Sequence, residues 1–373
     1  MPHGPWLLVI GMHRSGTSAV TGALGHLGLA VPGTQDRWEP SDDNPDHWES
    51  RALGLFCDVL LARQGGTWDR PPDPDAAWSG DPGLGIAEVG DPAVPARRAF
   101  PDDGPAVWKD PRACLLLPYW LAHLPKPVAA VFIWRSPVSV ARSLQARDRM
   151  HLADGVALWE RYNRQGLAGL LGVDTFVTRY ESIVEDPAGR LEEIAAWLRS
   201  LPQFAEHAEG WDLTAAARSI SSQLLRQRPS SDEAEFLLDE QRLLVEHLVS
   251  IEGPHRPLAS PLPGAESVWS AAVLGDRHQL ATLSRQRDAL RQKVADQRDE
   301  AQVLTGEIQV LRGEVERLSN TLAWVSDDLE ATRAELADAY LLHDQMRSSA
   351  SWRLTRPLRQ VSTLRSRSDP GPR

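Results

Sequence analysis

Lysine is nearly missing from this chain: its 373 residues include only Lys109, Lys126 and Lys293, and every other position counted as Lys or Arg is arginine. A GC-rich coding genome accounts for that bias without invoking function. Cysteine is as scarce. Cys57 and Cys114 are too few for a disulfide framework or a four-ligand zinc site and form no CxxC spacing, so a reducing cytoplasm fits best. Long apolar runs are wanting too: none reaches the ~18 residues of a membrane span. Trp6 to Ile10 is too short for a secretory leader and lacks its basic start, so the protein is expected to be soluble or peripheral. Positive charge is outweighed. A formal charge of -11 and a pI near 5.5 argue against a nucleic-acid partner, and any anionic ligand therefore needs a basic pocket of its own.

Two kinds of sequence are present. Hydrophobic residues, at 42%, suffice for a packed core, while charged residues gather toward the C-terminal third. Trp6 to Ile10 predicts a buried strand, Gly11 to Gly16 a loop, and Thr17 to Leu27 a helix with Val20, Leu24 and Leu27 on one face. Leu53 to Leu61 reads as a helix, and the Pro, Gly and Asp of Gly65 to Pro105 as loops. Val128 to Trp134 predicts a second strand, with a Ser136-Pro137 turn and a helix after it. Asp174 to Arg179 predicts a third, followed by a helix from Pro187 to Leu198. Strands alternating with helices imply the α/β class: a P-loop-like parallel sheet flanked by helices, with ligands beyond the carboxyl ends of the strands. The expected layout is a globular domain over 1–252, a Pro-rich linker over 253–268, a coiled coil over 269–347 and a basic tail over 348–373.

From Leu280 to Met346 apolar residues recur by threes and fours, as at Leu304, Ile308, Leu311, Val315, Leu318, Leu322, Val325 and Leu329. That is an unbroken heptad seam, in which Arg287, Gln297, Thr332 and His343 set register rather than bind anything. Such a helix, about 100 Å long at 1.5 Å per residue, would leave its apolar stripe in water if it stood alone. It is expected to pair, most simply with itself; the alternative is a helix folded back on the globular domain.

Gly11-Met12-His13-Arg14-Ser15-Gly16-Thr17-Ser18 has a glycine at each end of a turn and hydroxyl residues opening a helix. Such a turn points successive amides inward, and the helix N-terminus adds partial positive charge where phosphate oxygens would lie. The P-loop NTPase signature places lysine after the second glycine, whereas here Thr17 stands there and the cation, Arg14, lies inside the loop. Magnesium-assisted phosphoryl transfer is therefore the weaker reading. Arg135-Ser136-Pro137 through Ser143 follows the second strand, so an arginine fork and a serine two helical turns on can converge on one phosphate. Trp108-Lys109-Asp110-Pro111-Arg112 lies between these two elements, and Asn44-Pro45-Asp46-His47-Trp48-Glu49 before them.

In this order the elements resemble the sulfotransferase superfamily, in particular bacterial members with a Gly-Met-His-Arg-Ser-Gly-Thr-Ser run, over roughly the first 250 residues. The resemblance implies that Arg14, Ser15, Gly16, Thr17 and Ser18 hold the 5′-phosphate of the co-substrate 3′-phosphoadenosine-5′-phosphosulfate (PAPS). Arg14 stands where many cytosolic members carry a catalytic lysine, and Arg135 and Ser143 would bind the 3′-phosphate. Lys109 is expected to face the substrate, steadying sulfuryl or acceptor oxygens, and Arg112 to pair with Asp110 or with the co-substrate. Sulfuryl transfer needs a base for the acceptor proton; Glu49 is favoured, with Glu39 and His47 behind it. No metal is implied. The Arg-Lys-Gly element of the cytosolic enzymes has no counterpart near Arg226 and Arg228, and Arg179 to Pro187 reads as scaffold.

Ser348 to Arg359 resembles a terminal stretch of some bacterial glycosyltransferases and related polysaccharide enzymes, which implies a glycan hydroxyl as acceptor. Its arginines with Trp352 and Leu358 suit contact with the inner face of the membrane; a solvated tail is the other reading. The expectation is a cytoplasmic PAPS-dependent sulfotransferase that self-associates. A P-loop kinase and a noncatalytic coiled-coil scaffold with an anion-binding domain are the alternatives.

Overall fold

The computed structural model describes residues 4–39, 47–73, 90–100, 104–220 and 236–355. The chain divides into two compact units, Met1–Leu283 and Ser284–Arg373. In the first, the apolar runs form strands β1 (Trp6–Ile10), β2 (Ala106–Lys109), β3 (Val128–Trp134) and β4 (Asp174–Arg179), all parallel, with β5 (Gly253–His255) antiparallel to β4. The sheet order is β2-β1-β3-β4-β5. The protein is thus α/β, as the alternation of elements predicts.

Side chains alternate across a strand, and both faces of this sheet are covered, which is why the central strands β1 and β3 read as continuous apolar runs. Leu8, Ile10, Trp108, Phe132 and Trp134 pack on one face against α4 (Ala113–His123) and α6 (Leu152–Gly169), while α2 (Arg51–Arg63) joins the same core. Leu7, Val9, Val131, Ile133 and Phe176 pack on the other against α1 (Thr17–Leu27) and α8 (Pro187–Ser200). Between these lie α3 (Ala93–Ala99), α5 (Pro137–Asp148) and the short α7 (Tyr180–Glu185). α9 (Pro202–Ala205), α10 (Leu213–Ser219) and α11 (Asp239–Ser250) follow.

The Pro-rich segment expected as a linker differs from that reading. Gly253–His255 extends the sheet, and Leu258 is buried while exchanging backbone bonds with Gly172 and Val173, each 2.9 Å. Proline and glycine forbid a helix here but not an edge strand, where Pro254 lacks only an N–H.

The long helix α12 (Val268–Ser348) begins within the first unit, on a buried carboxylate. Glu160 of α6 accepts from the Ser267 amide at 2.9 Å, the Ser267 hydroxyl at 2.7 Å, the Ser270 hydroxyl at 2.8 Å and Arg164 Nε at 2.9 Å. Ser267 Oγ in turn accepts from the Ser270 amide at 3.2 Å, capping the helix, so a negative charge sits at its positive end. Burial pushes the Glu160 carboxyl up, yet the hydrogen bonds from Ser267, Ser270 and Arg164 outweigh it and hold the group below its ordinary value. Glu160→Gln is expected to cost about 2 kcal/mol in urea unfolding at neutral pH. Because the folded value lies below the unfolded one, the wild-type advantage is full above about pH 4.3 and disappears as pH falls through the folded value. An unchanged midpoint at pH 7 would count against this anchor.

In the second unit α12 runs on unbroken, and the seam residues are exposed. Ser349 caps the short α13 (Ala350–Leu354) by accepting from the Trp352 amide at 3.3 Å. The rest of the basic tail, residues 356–373, lies outside the described residues. Among those described, no helix is long and apolar enough to cross a membrane.

Candidate functional site

β1 lies between β2 and β3, so the chain leaves it toward one neighbour and later returns on the other side. Crevices at such a reversal receive ligands. Register keeps the strand ends level: Val9 is opposite Lys109 and Ile10 opposite Phe132, which brings the 11–16 loop, Lys109 and Arg135 to one edge.

The loop is tightly seated. A Cβ on Gly11 would stand 2.3 Å from the Ile133 carbonyl oxygen, and one on Gly16 2.0 Å from the Tyr180 ring. Gly16 has φ of 85° and Arg14 of 68°, the left-handed backbone of a tight turn. α1 starts at Thr17 with no side-chain cap from Gly16. Ser15 is fully buried and its Oγ has no hydrogen-bond partner among the described residues. A buried hydroxyl beside uncapped helix amides fits an anion oxygen acceptor.

The two cationic turns meet. Arg14 Nε donates to Ser143 Oγ at 2.8 Å, and Arg135 Nη1 donates to the Arg14 carbonyl at 3.1 Å. Trp159 Nε1 fixes the Arg135 turn by donating to its carbonyl at 2.8 Å, and Glu181 lies 3.8 Å from Arg135 Nε. Arg135 also sits 5.3 Å over the Tyr180 ring. Ser136 accepts from the Ser139 amide at 3.4 Å, with Pro137 opening α5, as the Ser-Pro turn predicts. That cap points the first turn of α5, and with it Ser143 two turns on, at the loop.

A second cluster lies at the other side of the loop. Lys109 is buried, donates to Ser18 Oγ at 2.8 Å and forms an ion pair with Glu49. His47 Nδ1 lies 3.1 Å from the other Glu49 oxygen. Burial would raise the Glu49 carboxyl, but the Lys109 charge and the hydrogen bonds with His47 and Lys109 hold it well below the ordinary carboxylate range. Arg112 pairs with Asp110 and Asp58, each at 2.8 Å, so of its two expected roles the pairing with Asp110 is seen. Burial raises the Asp110 carboxyl against the pull of Arg112.

Several solved structures are remote likenesses of this chain. The chain is similar to the "Sulfotransferase Domain from the Curacin Biosynthetic Pathway" at 16% identity and a TM-score of 0.33, over 73% of this chain and 97% of that one. It is similar to the "Sulfotransferase Domain from the Synechococcus PCC 7002 Olefin Synthase" at 18% identity and a TM-score of 0.35, over 73% and 94%. No family model and no curated protein matches.

Of the residues singled out in the sequence, Arg14, Ser15, Gly16, Thr17, Ser18, Glu49, Lys109, Arg135 and Ser143 gather at this edge, and His47 with them. Glu39 is exposed, and Asn44, Pro45, Asp46, Arg226 and Arg228 lie outside the described residues. Sequence reasoning missed Trp159, Tyr180 and Glu181, which hold the Arg135 turn, and left Arg179 to Pro187 as scaffold. It also missed His13, whose buried Nε2 has no partner among the described residues and whose ring lies 4.6 Å from that of Trp68. Burial, then the cations Arg112, Arg147 and Lys109, lower its proton affinity well below the usual histidine range. Only the position of His13 inside the anion loop signalled it.

Proposed function

We propose that the Met1–Leu283 unit is a sulfotransferase that uses PAPS as donor and a hydroxyl, on a carbohydrate, as acceptor. The observation that carries this reading is the bond from Arg14 to Ser143 and from Arg135 to the Arg14 carbonyl, beside a buried Ser15 hydroxyl with no hydrogen-bond partner among the described residues. PAPS supplies the sulfuryl group and is left as adenosine 3′,5′-bisphosphate.

Arg14, Ser15, Gly16, Thr17 and Ser18, with the amides of the loop, would hold the 5′-phosphate, and Arg135 and Ser143 the 3′-phosphate. Lys109 would steady the sulfuryl oxygens from its place at Ser18. Paired with Glu49, Lys109 keeps it a weak base. Drawn instead to a bound anion, Lys109 would loosen that pair and raise the proton affinity of Glu49, which then takes the acceptor proton. The scarcity of cysteine favours a cytoplasmic setting, and the arginines of the tail a peripheral contact with the inner face of the membrane.

Calorimetry with adenosine 3′,5′-bisphosphate, without magnesium, tests the donor site. The wild type is expected to bind tightly, and Arg14→Ala or Arg135→Ala to weaken binding tenfold or more, since a charge-assisted contact contributes about 1.5 to 3 kcal/mol. Binding of the bisphosphate by folded variants as tightly as by wild type would sink this site. Tight binding of ATP only with magnesium would favour a kinase. Labelled-sulfate transfer to fractionated glycans identifies the acceptor.

A further inference from the structure

The exposed seam of α12 has a register from which partner number and direction follow. Continuing its spacing of three and four puts Leu304, Leu311 and Leu318 at heptad position d and Val294, Ile308 and Val315 at a. All six are 48–66% exposed in the single chain. Over 294–318 this is the β-branched a and leucine d combination that favours two parallel strands, while farther on Leu322, Leu329 and Leu336 stand at a and Val325 at d.

The flanking charges choose the direction independently. Position g, just before each a, carries Glu300, Glu307, Glu314, Asp328 and Glu335, all exposed. Position e, just after each d, carries Arg291, Arg298, Arg312, Arg333 and Arg347, also exposed. In a parallel pair, g of one helix faces e of the other five residues on, so Glu307 meets Arg312 and Asp328 meets Arg333 across the seam. One such contact is adverse, Lys293 against Arg298. An antiparallel pair would set g against g and e against e, acid on acid and arginine on arginine.

We propose that a second copy of this chain covers the seam, in parallel and in register. The Ser284 ends of the two helices then lie together, and so do the Ser348 ends. The pairing is independent of the chemistry at the anion site.

Sedimentation of the full chain should give twice the 41.2 kDa chain mass. Cys57 and Cys114 are buried, so a single added thiol reports the direction. Leu290→Cys, at d near one end, should form a disulfide-linked dimer on mild oxidation while the wild type does not; two antiparallel chains would hold these thiols far apart. Glu307→Arg should weaken the dimer about tenfold, and Glu307→Arg with Arg312→Glu should restore it to within about threefold. Residues five apart on one helix do not face each other, so that recovery reports a contact between chains. A monomer, three or more chains, a dimer without the Leu290→Cys crosslink, or a double variant as weak as the single one would each overturn the proposal.

Discussion

Lys109→Met is expected to lower sulfuryl transfer by about 100- to 1000-fold while leaving affinity for adenosine 3′,5′-bisphosphate within about threefold of wild type. The split follows from position. Lys109 is held at Ser18 and Glu49, on the opposite side of the loop from the Arg14, Ser143 and Arg135 contacts. Its charge would therefore act on the group in transfer more than on the bisphosphate left behind. Release of bisphosphate from PAPS in water alone provides a readout before the acceptor is known. Transfer within about tenfold of wild type would reduce Lys109 to a partner that merely holds Glu49. The substitution also removes the charge that depresses the Glu49 carboxyl. In the wild type the Lys109–Glu49 pair stabilises the fold above about pH 4.3, the unfolded glutamate value, and that contribution is lost as pH falls through the depressed folded value. The variant should show correspondingly less of this acid sensitivity.

Gly16→Ala is expected to destabilise the fold by about 3 to 5 kcal/mol and to abolish measurable bisphosphate binding. Two penalties coincide. The backbone there has φ of 85°, which a Cβ disfavours by about 1 to 2 kcal/mol, and that Cβ would stand 2.0 Å from the buried Tyr180 ring. The ring lies against Arg135 and beside the sheet, so neither partner can retreat without moving the anion turn. Combining Gly16→Ala with Tyr180→Ala should cost less than the sum of the two, because the clash is shared. Urea unfolding and calorimetry read both effects; a Gly16→Ala protein as stable as wild type would rule out this loop conformation.

Much of the fold was legible because its signals are local. β1 and β3 are apolar runs long enough to stand out, β4 shows in its β-branched and aromatic Thr175 to Thr178, and the Ser136 cap with Pro137 marks the start of α5. β2 was not anticipated: it has four residues, Ala106–Lys109, between Pro105 and Pro111, too few to show a period. β5 was hidden by its own composition, since Gly253 and Pro254 resemble a linker until an open strand edge offers them hydrogen bonds. The same limit applies at the site. Two glycines around Arg14 announce an anion turn in a dozen residues, whereas Trp159 on the Arg135 carbonyl is a contact across 24 residues and looks from the sequence like ordinary core.

The sequence by itself determined the strand, turn and helix units, the cations that end them, and the heptad pattern of the last helix, because each depends on neighbours within a few turns of chain. Only the tertiary structure decided which charges meet. Lys109 and Glu49 are 60 residues apart, Arg14 and Ser143 129 apart, and Glu160 lies 107 residues before the helix cap it holds. Sheet order brings these groups together, and burial then makes each pairing strong, since an isolated charge in the same place would be too costly to keep.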